Sequence, residues 1–238
     1  MHHKNLSHTF ENGPLRPGCA LSHELPNHIN PCSEIPSDCD AIMREFVLYS
    51  RLGKTDPYWT NLHDAGRLDI VYECIVASLF LSHGLRRDVN FSAILNGPPN
   101  PPIHLRINGA ELYDVRTDIE TWNGILRKAV NGKSHPGVTT AKTGFEALLK
   151  QKAETHSIYV LEEDGKDIRE AEICENPLFV LGDHVGLPQK AEAFALRYGE
   201  KISLGKQPYL AASCITVINY LLDQHQKPQK PDEQPPIL

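Results

Sequence analysis

The chain has 238 residues, of which 40% are hydrophobic and 23% charged, and its formal net charge is −6. That length holds one ordinary domain with a sizeable core plus an extension, and the composition is that of a globular protein, neither wholly disordered nor embedded in a membrane. The acidic balance argues against indiscriminate polyanion binding but leaves room for a local basic patch that holds folded RNA.

The first forty or so residues are rich in Pro, His, Asn, Ser and Gly without any sustained period of 2 or 3.6. No cationic start followed by an apolar run reads as a secretory signal, so a cytoplasmic protein is expected. The character changes at Met43, and residues 1–42 are expected to be a dispensable extension, or an upstream stretch whose true start is Met43. Its histidines and Cys19, Cys32 and Cys39 match no zinc-module spacing, and the six cysteines form no C-x-x-C pair. Neither a metal nor a disulfide framework is therefore expected.

From Met43, MREFVLYS reads as a buried first strand. Leu68, Val71, Ile75 and Leu79 follow helical spacing, Gly84 supplies a stop, and Val89, Phe91, Ala93 and Leu95 alternate as a strand. Helices are predicted over Ile119–Val130, capped by Thr117 or Asp118 and ended near Gly132, and over Thr143–Glu154. Strands follow at Ser157–Leu161, Leu178–Leu181 and Lys201–Leu204 with helical stretches between them, then a last helix over about Ala211–Gln224. The Pro- and Gln-rich residues 225–238 are read as a frayed tail. Strands alternating with helices predict an α/β domain over 43–224, a mainly parallel sheet covered on both faces.

Three successive strands run into polar or glycine-bearing segments: LEEDG after Tyr159, LGDHVG after Phe179 and SLGKQPYL after Ile202. Ligands of open α/β sheets bind at the carboxyl ends of strands, which makes these segments the expected site. Gly182, Gly186 and Gly205 would let main-chain groups approach a flat ligand; each alone reads more readily as a turn glycine, and it is their place in three successive strand-end loops that favours a ligand. No G-x-G-x-x-G follows the first strand, which counts against a Rossmann-type nucleotide enzyme.

The ordered segments MREFVL, AGRLDI, FLSHGLRRDV, NGPPNPP, LRKA, HPG, EDGKDI, ENPLFVLGDHVG and ISLG resemble the SPOUT methyltransferases. More narrowly, they resemble the archaeal tRNA pseudouridine-54 N1-methyltransferase family and its bacterial relatives. The resemblance spans Met43 to about Asp223 and implies a fold whose last helix threads a C-terminal trefoil knot. It also implies methyl transfer from S-adenosylmethionine (SAM) to N1 of pseudouridine in RNA, with tRNA the expected partner, by a homodimer whose site draws on both subunits. Carried over residue by residue, the SAM pocket comprises Leu161, Leu181, Gly182, Leu204, Gly205, Lys206, Gln207, Pro208, Tyr209 and Cys214. A protein that keeps the fold and binds SAM but has lost turnover is the alternative.

The nucleophilic N–H must lose a proton, so a base or anion-stabilising group is expected beside the target. Asp88, behind Arg86 and Arg87, is one candidate; its competing reading is a strand-start acid paired with an arginine. Asp69 reads better as an acid favoured by the helix dipole, and Tyr209 as a positioning group. His83, His135 and His184 read as structural turn residues. Arg67, Arg86, Arg87, Arg106, Arg127 and Lys128 form the expected RNA-contacting group, set against an ordinary solvated surface. HPG and GPPNPP read as turns whose prolines fix φ.

Overall fold

A computed structural model describes residues 43–224; the extension and the tail expected at either end lie outside the described residues. The elements in chain order are β1 (Arg44–Ser50), α1 (Leu68–Leu79), β2 (Phe80–Leu81), β3 (Gly84–Leu85), β4 (Val89–Leu95), β5 (Ile103–Asn108) and α2 (Ile119–Val130). There follow β6 (Val138–Ala141), α3 (Phe145–Lys152), β7 (Ser157–Asp167), β8 (Pro177–Gly182), α4 (Gln189–Ala195), β9 (Gly199–Ser203) and α5 (Ala211–Asp223). The main sheet has the order β6-β5-β4-β1-β8-β7-β9. From β4 to β9 all neighbours are parallel, while β5 and β6 are antiparallel at one edge.

The alternation along the central strands explains the layering. Phe46 and Leu48 of β1, Phe179 and Leu181 of β8 and Tyr159 of β7 face α1, α2 and α5. Val47, Val180, Leu178, Ile158 and Val160 face α3 and α4. Phe46, Phe179 and Tyr159 lie in one register row, their rings 5.5 and 5.6 Å apart. This stack crosses three strands and fixes their mutual slip, because a one-residue shift would turn each ring to the other face.

The N-terminal ends of β1 and β4 hold a buried ionic cluster that secures the last helix. Arg44, fully buried, donates to Asn219 Oδ1 (3.0 Å), Asp223 Oδ1 (3.0 Å) and Asp88 Oδ2 (3.3 Å). Arg86 grips the same Asp223 with both terminal nitrogens, at 2.8 and 2.6 Å. A charge taken from water needs several partners of this kind, and here they join α5 to the start of the sheet.

Most elements lie where the sequence places them, and Asp118 is the cap of α2, accepting from the Thr121 N–H at 2.8 Å. The structure adds β2, β3, β5 and β6, ends α1 at Leu79 and places Gly84, read as its stop, in β3, and corrects β7. LEEDG is not a loop after the strand: β7 continues to Asp167 through a bulge in which Leu161 and Lys166 both oppose Ile202, extruding Glu162–Gly165. Gly165 permits this because a Cβ there would stand 2.5 Å from the Ile202 carbonyl carbon.

Candidate active site

A cavity of about 610 Å³ opens at the carboxyl edge of the sheet, a size suited to a cofactor-sized ligand. Its walls come from the β7 bulge, the end of β8, the segment after β9, the first turn of α5 and the start of α1. Of the residues expected there, Leu161, Leu181, Gly182, Leu204, Gly205, Gln207, Pro208, Tyr209 and Cys214 line it, and Lys206 alone does not. Five strands enter in parallel, so three of their exits converge on one edge and the cavity needs no special insertion.

The LGDHVG turn is built around Asp183. Its carboxylate accepts from the Arg51 N–H at 2.7 Å and the Val185 N–H at 3.0 Å, and its carbonyl accepts from the Gly186 N–H at 2.8 Å. Gly182 is required by space, because a Cβ there would meet the Gly186 carbonyl carbon and the Leu187 nitrogen at 2.3 Å. Its role is therefore to let the turn fold back on β8. Gly186 and Gly205 differ: both have positive φ, 82° and 117°, and nothing stands within 4 Å of a Cβ built on either. Together they leave open room in the cavity wall. Behind the lining, the Ser203 hydroxyl accepts from the Gly205 N–H at 3.0 Å and donates to the Glu163 carbonyl at 3.2 Å, tying the β9 exit to the β7 bulge.

The lining is acidic. Glu73, Glu162, Glu163 and Asp183 face Arg67 and His184, and the Arg67 guanidinium is already bonded to Asp69 at 3.0 Å. Burial, and then neighbouring Glu192 and Glu163, raise the pKa of Glu162, which marks a carboxylate that a cation would relieve. Burial pushes the Cys214 thiol up to about 11, so it is an uncharged wall group and no nucleophile.

The expected catalytic and RNA-contacting groups are divided. Tyr209 lines the cavity and is about half exposed. Asp88 does not line it; it is buried at the opposite, N-terminal end of β4, paired with Arg44 at 3.3 Å. Asp69 sits in the first turn of α1, where burial raises its pKa but the Arg67 hydrogen bond and charge outweigh burial and bring it down. Arg67 alone of the six basic residues lines the cavity. Arg86 is held by Asp223, Arg87 donates to the Gly109 and Leu112 carbonyls, and Arg127 donates to the Trp59 carbonyl. Arg106 lies on β5 and Lys128 is exposed on α2. Glu73 and Asp183, two carboxylates of the site, carry no distinctive sequence signal beyond their places in AGRLDI-VYE and LGDHVG.

The sequence model of a family of SAM-dependent RNA methyltransferases matches residues 43–227. The chain belongs to that family. Among its relatives is the tRNA (pseudouridine(54)-N(1))-methyltransferase of Methanocella arvoryzae, 38% identical over 76% of this chain and 100% of the relative. The enzyme of the same name from Methanocaldococcus jannaschii is 35% identical over 76% of this chain and 97% of its own length. Among solved structures, Archaeoglobus fulgidus Nep1 bound to S-adenosylhomocysteine has a TM-score of 0.51 at 13% identity, covering 67% of this chain and 71% of that one, a likeness of fold. The family's cofactor is SAM, and the cavity fits it: open main-chain room at Gly186 and Gly205 and an acidic lining suit a flat purine joined to a sulfonium.

Proposed function

We propose that this chain transfers the methyl group of SAM to N1 of pseudouridine in RNA, at position 54 of tRNA as its relatives' names state, in the cytoplasm and as a homodimer. The observation that carries the reading is the convergence of the β7 bulge, the Gly182–Gly186 turn and the Gly205 segment on one acidic cavity, in a chain matched along the full length of those relatives. SAM supplies a methyl on positive sulfur; N1 forms the new N–CH₃ bond as the S–CH₃ bond breaks, leaving S-adenosylhomocysteine and releasing the N1 proton.

The chain's own part is mainly positioning, which is worth much of the barrier in a two-body displacement. Gly182 and Gly186 shape the wall, Ser203 fixes the β9 exit, and Tyr209, between cavity and solvent, orients the incoming base. In this reading Glu73, a cavity-lining carboxylate one turn beyond Asp69 on α1, takes the N1 proton. An exposed stripe on and before α5, Leu210, Val217 and Tyr220, supports self-association beside the cavity mouth. The trefoil threading of α5 implied by the resemblance belongs to the same reading; α5 follows edge strand β9 and packs on α1.

The test is methyl transfer in vitro to matched stem-loops bearing pseudouridine or uridine at one position. Methylation of the pseudouridine strand alone is expected, and equal or absent methylation of the two would refute the reading.

A further inference from the structure

The Arg51–Arg67 segment leaves the cavity and returns to it: the Arg51 N–H bonds Asp183 at one end, and Arg67 lines the cavity at the other. Its root is fixed to the Gly97–Asn100 turn. Thr55 donates its N–H to the Pro98 carbonyl at 3.1 Å and its hydroxyl to the Gly97 carbonyl at 2.9 Å, and accepts from the Asn100 N–H at 2.8 Å. The approach is so close that a Cβ on Gly97 would stand 2.2 Å from the Leu52 carbonyl oxygen.

Its middle is clamped to α2. The Arg127 guanidinium donates to the Trp59 carbonyl and lies 5.9 Å from the centre of the buried Trp59 ring. Trp59 Nε1 donates to Asn123 Oδ1 at 2.7 Å, and Asn123 Nδ2 donates to the Thr60 carbonyl at 3.2 Å. Tyr58 stands in this clamped segment, its N–H bonded to Asp56 Oδ1 at 3.2 Å, with 82% of its surface exposed. Packing therefore accounts for Trp59 and leaves the neighbouring ring in water.

We propose that Tyr58 is a stacking platform for an unpaired base of the substrate RNA, flanked by Lys54 and Lys142 as phosphate contacts. Lys54 lies on the same segment, and Lys142 is anchored to the Asn100 and Pro101 carbonyls on the turn that supports Thr55. A solvent-facing aromatic on a clamped backbone is what recognition of splayed-out bases uses, since every base offers a π-face. A protein partner would call for an apolar patch, whereas Trp59 and Leu62 are buried and the exposed residues that follow Tyr58 are Thr60, Asn61, His63 and Asp64. Arg127 is thereby a positioning residue for the platform, reached by its clamp and not by RNA. This inference rests on the RNA-methylation reading above.

Tyr58→Ala, Tyr58→Phe and Tyr58→Trp, in the full chain, test it by fluorescence anisotropy with a labelled pseudouridine stem-loop, with SAM titration and melting temperature checking the fold. Loss of one base stack predicts about 5- to 150-fold weaker RNA binding for Tyr58→Ala, unchanged SAM affinity, and near wild-type binding for Tyr58→Phe and Tyr58→Trp. RNA affinity of Tyr58→Ala within twofold of wild type overturns the platform, as does an equal loss in Tyr58→Trp. A wild-type protein that binds RNA through Tyr58 but never methylates it would refute the functional reading and leave the platform standing.

Discussion

Replacing Gly182 with alanine separates a glycine needed for backbone packing from one needed for ligand room. The added Cβ would lie 2.3 Å from two backbone atoms of Gly186 and Leu187, so the turn must retreat by about 1 Å to reach ordinary contact. Overpacking of this kind costs about 1–3 kcal/mol, and each kcal/mol lowers the melting temperature by about 2–4 °C in a domain of this size. Since the displaced turn is a wall of the cavity, SAM affinity should fall by about tenfold or more, equivalent to about 1.4 kcal/mol. Gly132→Ala is the control: φ is 74° and the Cβ meets nothing, so it carries only the left-handed strain of about 1–2 kcal/mol at the end of α2, away from the cavity. Thermal melting and calorimetric SAM titration of both variants provide the assay. A Gly182→Ala protein with wild-type stability and wild-type SAM affinity would refute the reasoning.

Asp88→Asn should cost less than the about 3–5 kcal/mol typical of a broken buried pair, because Arg44 keeps Asp223; melting temperature should drop while SAM affinity and the single-turnover rate at permissive temperature hold. Glu73→Gln should do the reverse, lowering the single-turnover rate and altering its pH profile with stability and SAM affinity preserved, and an unchanged rate would remove Glu73 from proton transfer. His104 and His156 have their pKa values lowered from 6.5, chiefly by burial and, among neighbouring charges, by Lys152, with Arg106 also acting on His104 and Glu45 opposing. Below about pH 6.5 the unfolded chain binds protons that the folded one resists, so denaturant stability should decline as pH falls from 7 through 6, a decline that His104→Gln should lessen.

The parallel half of the fold was legible because β1 and β8 are buried on both faces and read as near-continuous apolar runs, β4 alternates, and α1 and α2 carry clear helical spacing, with Asp118 as the cap of α2. β6 was not: VTTA is short, and its pairing depends on β5 lying beside it. IHLRIN in β5 does alternate, and that signal was available. LEEDG reads as a turn because its residues are polar and end in glycine; only the close approach to Ile202 shows that glycine serves a bulge. Most of the cavity lining was readable, since strand exits follow from strand order. The charge partners were not, because Arg44 and Asp88 are 44 residues apart and Arg86 and Asp223 are 137 apart, so local sequence cannot tell a buried tie from an RNA contact.

Nucleoside mass spectrometry of tRNA from cells with and without this protein tests the central claim most directly. The account predicts a methylated pseudouridine that is lost with the protein and restored by the wild-type chain but not by Glu73→Gln. An identical nucleoside profile in the two strains, with pseudouridine present at the position, would contradict it.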